Sequence, residues 1–153
     1  MMALHDQHVL EWMHKRVHGA TMQYLHPCYR DTRGCTVRAL ADALGIHIIT
    51  AYVLMREQGR KHGRGVYPTD TSKYYRNIAA KLGYQYSKLA GRDAHRDYGK
   101  TIVSAQRALA PHQRVVFGVR GHVIGFHKNQ TSDWADNRRH HIRSAHIFRQ
   151  QAA

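Results

Sequence analysis

Acidic residues are scarce in this chain: Asp and Glu total 10 against 24 Lys and Arg, a formal charge of +14 with the 14 histidines neutral. A field of that sign disfavours cationic partners and favours nucleic acid, acidic protein surfaces or anionic lipid. Cysteine is equally sparse, at two residues, which excludes a disulfide scaffold. The expected compartment is a reducing cytoplasm, where a thiol stays free for chemistry. No apolar run approaches the roughly 20 residues of a membrane-spanning helix, so no membrane partner is expected. The opening MMALHDQHVLEWMHKRV mixes acids and histidines into its apolar residues and reads as something other than a secretory leader. Only three prolines interrupt the 153 residues, and 42% are hydrophobic, enough for one globular domain with a single core.

That single domain, 1–153, divides by pattern into a helical extension (1–27), a mainly helical half (28–110) and a β half (111–153). Leu4, Val9, Trp12, Met13 and Val17 recur at helical spacing and predict an amphipathic helix over 3–18. A connecting loop covers 19–33. A helix starts near Cys35, carries Val37, Leu40, Ala41 and Leu44 inward, and stops at Gly45, where a C-cap glycine belongs. Another covers 48–58. GRKHGRG (59–65) reads as a mobile, basic, glycine-rich loop. Thr69 or Thr71 is expected to cap a helix carrying Tyr74, Tyr75, Ile78 and Leu82 to Gly83. Residues 84–98 are polar and show no clear period. Thr101 caps a helix to about Ala110, closed by Pro111. The character then changes: RVVFGVR (114–120), HVIGFHK (122–128) and SAHIFRQ (144–150) are β-branched and aromatic strands. Helices first and antiparallel strands afterwards make an α+β pattern.

Cys35 stands at the start of its helix in DTRGCTVRALADALG, after a glycine that permits a sharp turn. Unpaired N–H groups and the positive end of the helix dipole favour a thiolate at such a position. The same N–H groups suit an oxyanion formed when sulfur attacks a carbonyl. A cysteine nucleophile needs a base that is near in space rather than in sequence. His122, which opens a strand after Gly121, is the candidate. Only Asp133 and Asp136 supply acids after it. If HVIGFH folds back through KNQT as a hairpin, position 122 pairs with 135 or 137, and parity puts Asp133 on the face of His122. Asp133 would then orient the ring as the third member of a triad. A bulge would shift that role to Asp136 or Asn137.

GCTVRALADALG, the amphipathic helix after it, the basic glycine-rich loop and VVFGVRGHVIGFHKNQTSDW together resemble the papain-like cysteine peptidase superfamily, in its small phage and bacterial forms. The likeness covers roughly 31–60 and 101–136. It implies a papain-like fold and a cysteine-dependent hydrolase: a thiol peptidase, isopeptidase or amidase with Cys35 as nucleophile, His122 as base and Asp133 as orienting acid. It further implies a protein or peptide substrate and no cofactor. Family members place Gln or Asn before the cysteine as an oxyanion donor. YRDTRG has neither, leaving Thr32, Arg33 or the backbone.

Three other readings share these residues. VRALADALGIHIITAYVLMREQG (37–59) has the outline of a helix-turn-helix, which in a basic chain suggests DNA binding. Its second helix offers little polar surface beyond His47, Thr50 and Tyr52 to meet base edges. A catalytically degenerate papain-like binding module would keep the scaffold without the chemistry. Cys28, Cys35, His122, His127, His140 and His141 are metal-ligating types but lack ligand spacing, so no metal is expected. The clusters 60–64 and 138–143 suit non-specific phosphate contact.

Overall fold

The computed structural model describes residues 16–17, 20–21, 27–31, 33–133 and 139–151. Among these, two short strands come first, β1 (Arg16–Val17) and β2 (Ala20–Thr21), paired antiparallel. The helix expected over 3–18 therefore gives way to a strand at Arg16 and Val17, where β-branched Val17 and Thr21 suit extended pairing. Its remainder, 3–15 and 18, lies outside the described residues. A 3-10 turn follows at Pro27–Arg30.

Helix α1 (Cys35–Leu44) forms where the period predicted. Val37, Leu40, Ala41 and Leu44 are buried, and Gly45 closes the helix in the left-handed region, its N–H bonded to the Ala41 carbonyl. Helix α2 (Ile48–Glu57) is capped by His47, whose Nδ1 accepts the Ile49 N–H at 3.1 Å. The two helices meet at 119°, within the range of a helix-turn-helix. Yet every residue from Ile49 to Met55 is buried, so that stretch of α2 presents no row of side chains to a groove. No single helix among the described residues is long and apolar enough to cross a membrane.

Helix α3 (Pro68–Leu82) begins earlier than either threonine cap implied. Proline at its first position presets the helical φ, Tyr67 is the N-cap, and the Thr71 hydroxyl donates back to the Tyr67 carbonyl. Residues 84–98 contain two elements that the polar pattern concealed, β3 (Tyr84–Ala90) and α4 (Arg92–Tyr98). Helix α5 (Ile102–Ala108) carries the expected Thr101 cap, completed by Ser104 as a capping box. Strands β4 (Arg114–Val119), β5 (His122–His127) and β6 (Ser144–Gln150) complete one antiparallel sheet in the order β3-β6-β4-β5.

The sheet is covered on both faces, which explains why β4 reads as a continuous apolar run. Val116 and Phe148 face the core built with α1, α2 and α3. Val115, Phe117, Val119, Ile124 and Phe126 face Ala94 and Tyr98 of α4 and Ile102 and Ala105 of α5. The result is a mixed α+β fold. Gly125 of β5 lies under α1, where a Cβ would collide with the Ala39 carbonyl. This backbone-to-backbone approach brings the first turn of α1 and the start of β5 to one side of the molecule.

Candidate active site

Cys35 is the first residue of α1, half-buried, with a free thiol. No side chain caps the N-terminus of the helix, and no acid lies in its first turn. The sulfur therefore stands at the positive end of the helix, with the Asp31 carboxylate beside the preceding Gly34. Deeper in, the Tyr75 hydroxyl donates to the Thr36 carbonyl at 2.6 Å and anchors the first turn. Burial, and then the charge that Cys35 would carry as thiolate, keep that phenol neutral well above its ordinary range.

His122 opens β5 immediately after Gly121, whose φ of 70° makes the tight turn from β4. Its Nε2 lies 2.5 Å from Oδ2 of Asp133, and the Asp133 side chain is 7% exposed. A carboxylate only accepts, so Nε2 carries the shared proton and Nδ1 is the nitrogen left for proton transfer.

Asp133 reaches the ring by a different route from the expected hairpin. The strand partner of His122 is Val119 on β4, and after the His127–Gln130 bridge the chain at 131–133 forms no strand. The segment is held by side chains instead. Asp42, on α1, accepts from Ser132 N–H at 3.0 Å, Ser132 Oγ at 2.8 Å and Thr131 Oγ1 at 3.3 Å. Thr131 Oγ1 in turn accepts the Asp133 N–H. The pairing of 122 with 135 or 137, together with Asp136 and Asn137, lies outside the described residues.

Two adjoining cavities of about 490 and about 430 Å³ form one cleft, and Cys35, Gly65, Gly121 and His122 wall both. Cys35 and His122 thus border the same cleft from opposite halves of the fold. Cys28, Arg33, Arg38 and Tyr52 line the first lobe. Arg33, an expected oxyanion-donor position, is exposed there, while Thr32 lies outside the described residues. The Cys28 thiol is pushed up to about 12 by burial and by Asp31, which leaves it protonated and inert at neutral pH.

In the loop at 59–65, Lys61, His62 and Arg64 are exposed, but Arg60 turns inward. Arg60 is buried, its side chain 2% exposed, and pairs with Asp31 at 2.6 Å while donating to the Arg33 carbonyl at 3.0 Å. Asp31 also accepts the N–H groups of Arg33 and Gly63. Burial alone would raise the Asp31 carboxyl; Arg60 and the two N–H groups outweigh it and hold the group below the usual carboxylate range. One buried ion pair therefore ties 59–65 to the turn before Cys35.

Sequence reasoning named Cys35, His122 and Asp133; Cys35 and His122 wall one cleft, and Asp133 is hydrogen-bonded to His122. It missed Asp42 and the Asp31–Arg60 pair, for which no local pattern exists. Only the rarity of acids marked them. No group of three His, Cys, Asp or Glu able to hold a metal occurs among the described residues. Compared with protein-family models, curated proteins and solved structures, the chain gives no match.

Proposed function

We propose that this chain is a papain-like thiol hydrolase acting on an amide, isopeptide or related acyl bond. The observation that carries the reading is His122, hydrogen-bonded to Asp133, on the same cleft as a cysteine that starts a helix. Nucleophile and base come from stretches of chain far apart in sequence, and their place on one cleft supports the reading.

The reaction runs in two halves. Proton transfer from the thiol to His122 Nδ1 gives a thiolate–imidazolium pair, and the sulfur attacks the carbonyl carbon. The oxyanion is held by N–H groups at the start of α1. As the carbon–nitrogen bond breaks, Nδ1 returns its proton to the leaving amine and a thioester remains on Cys35. Water then attacks the thioester, giving its proton to Nδ1 and its oxygen to the acyl carbon. The released sulfur recovers the proton. Asp133 holds the ring in the tautomer that keeps Nδ1 free.

The test is iodoacetamide labelling of the Cys28→Ala protein across pH, with Cys35→Ala and His122→Ala beside it. Fast labelling at neutral pH that vanishes without Cys35 and slows at least about tenfold without His122 supports the reading. Labelling at the rate and pH dependence of an ordinary thiol, indifferent to His122, overturns it and leaves a binding module.

A further inference from the structure

The two lobes of the cleft differ in charge. The first contains a carboxylate, Asp31, alongside Arg33 and Arg38. The second has no acid in its lining and carries two cations, Lys88 and Arg143. Lys88 lies directly opposite His146 across the β3–β6 ladder, so both side chains rise from the same face of the sheet. Arg143 is set at the rim by its backbone, whose N–H donates to the Gly118 carbonyl at 2.7 Å. Both cations are exposed, and neither has an ion-pair partner among the described residues.

The interior of this lobe is apolar at Val66 and Val123 but ends on polar groups. Thr36 is buried, and its Oγ1 has no hydrogen-bond partner among the described residues. His146, 3% exposed, has Nδ1 within 2.7 Å of the Tyr86 hydroxyl. Burial and then the nearby Lys88 push the imidazole down to about 3, so it adds no charge of its own. Among the described residues the lobe therefore presents apolar walls, one unsatisfied hydroxyl and two unpaired cations in the cavity that Cys35 also lines.

We propose that this lobe is a specificity pocket for an acidic side chain, Glu or Asp, flanking the bond presented to Cys35. The carboxylate meets Lys88 and Arg143 at the rim, where an anion relieves two like charges at once. Its methylene stem lies on Val66 and Val123. The proposal rests on the hydrolase reading for its meaning as substrate selection, but its binding content stands apart from catalysis.

The experiment uses the full chain with Cys35→Ala, which cannot turn over, and fluorescent acetylated hexapeptide pairs differing only in Glu or Gln at one position. Fluorescence anisotropy at physiological salt is expected to show the Glu peptide of one pair binding about tenfold tighter. Lys88→Gln/Arg143→Gln should erase that difference. Arg76→Gln/Arg149→Gln, at the other end of β3, should keep it. Equal affinity for every Glu and Gln pair, or a preference that survives loss of Lys88 and Arg143, overturns the pocket. Glu selectivity in a protein whose Cys35 labels as an ordinary thiol would leave the pocket standing and remove the hydrolase. Reactive Cys35 without Glu selectivity would do the reverse.

Discussion

The Asp42 carboxylate accepts hydrogen bonds from both the backbone and the side chain of Ser132, at 3.0 and 2.8 Å. These bonds join the helix that begins at Cys35 to the segment that delivers Asp133 to His122. A carboxylate that touches no substrate thereby sets the distance between the two halves of the site.

Removing that tie should slow the chemistry through Asp133. Asp42→Ala is expected to lower the Cys35 labelling rate about tenfold, and Asp42→Asn, which keeps an acceptor, by less. In an Asp133→Asn background Asp42→Ala should add little, because the group it positions is already altered. Additive losses in this double-mutant cycle would show that Asp42 acts only on stability.

Breaking the Asp31–Arg60 pair from one side should be severe. Arg60→Met leaves a buried, uncompensated carboxylate and is expected to cost about 3–5 kcal/mol in denaturant unfolding. Asp31→Asn/Arg60→Met should recover much of that loss. Because the folded state lowers the Asp31 carboxyl, the pair's stabilisation is present above the ordinary carboxylate range and fades as pH falls through the folded value. Arg60→Met should therefore lose less stability at pH 3 than at pH 7.

His146 gives the opposite group type with the same direction of pH dependence. Its folded value is about 3, against 6.5 for an exposed imidazole. Between these limits the unfolded chain binds a proton that the folded chain refuses, so stability falls as pH falls from 6.5. The loss between pH 6.5 and 5 should be about 2 kcal/mol from this group. His146→Gln keeps an acceptor for the Tyr86 hydroxyl and should flatten that part of the profile in urea titrations. An unchanged slope would assign the acid sensitivity elsewhere.

Gly125 should tolerate no side chain. A Cβ there collides with the Ala39 carbonyl of α1, which is backbone and cannot rotate away. Gly125→Ala is expected to destabilise by about 1–3 kcal/mol and to slow Cys35 labelling, since α1 must shift on β5. Gly121→Ala, where nothing stands within 4 Å, should show only the strain of its φ of 70°. Equal melting temperatures and labelling rates for Gly125→Ala and wild type would refute the close-packing argument.

Where a stretch of chain buries one side, its period exposed the element: α1 through Val37, Leu40 and Leu44, α3 through Tyr75 and Ile78, β4 and β5 through their β-branched and aromatic runs. Strand β3 escaped notice because it sits at the sheet edge, pairs with β6 alone, and exposes Gln85, Ser87 and Lys88. Helix α4 is a short segment with only Ala94 and Tyr98 buried, too little for a period to register.

The residue types and order along the chain were enough to mark a thiol at a helix start, a histidine after a strand-turn glycine and an acid downstream, because those signals are local. Tertiary structure alone decided that His122 pairs with Val119, that Asp133 arrives on a loop held by Asp42, and that Arg60 turns inward to Asp31. The last two depend on hydrogen bonds or charges between residues far apart in sequence, and a side chain's partner across the fold leaves no periodic trace in its neighbours.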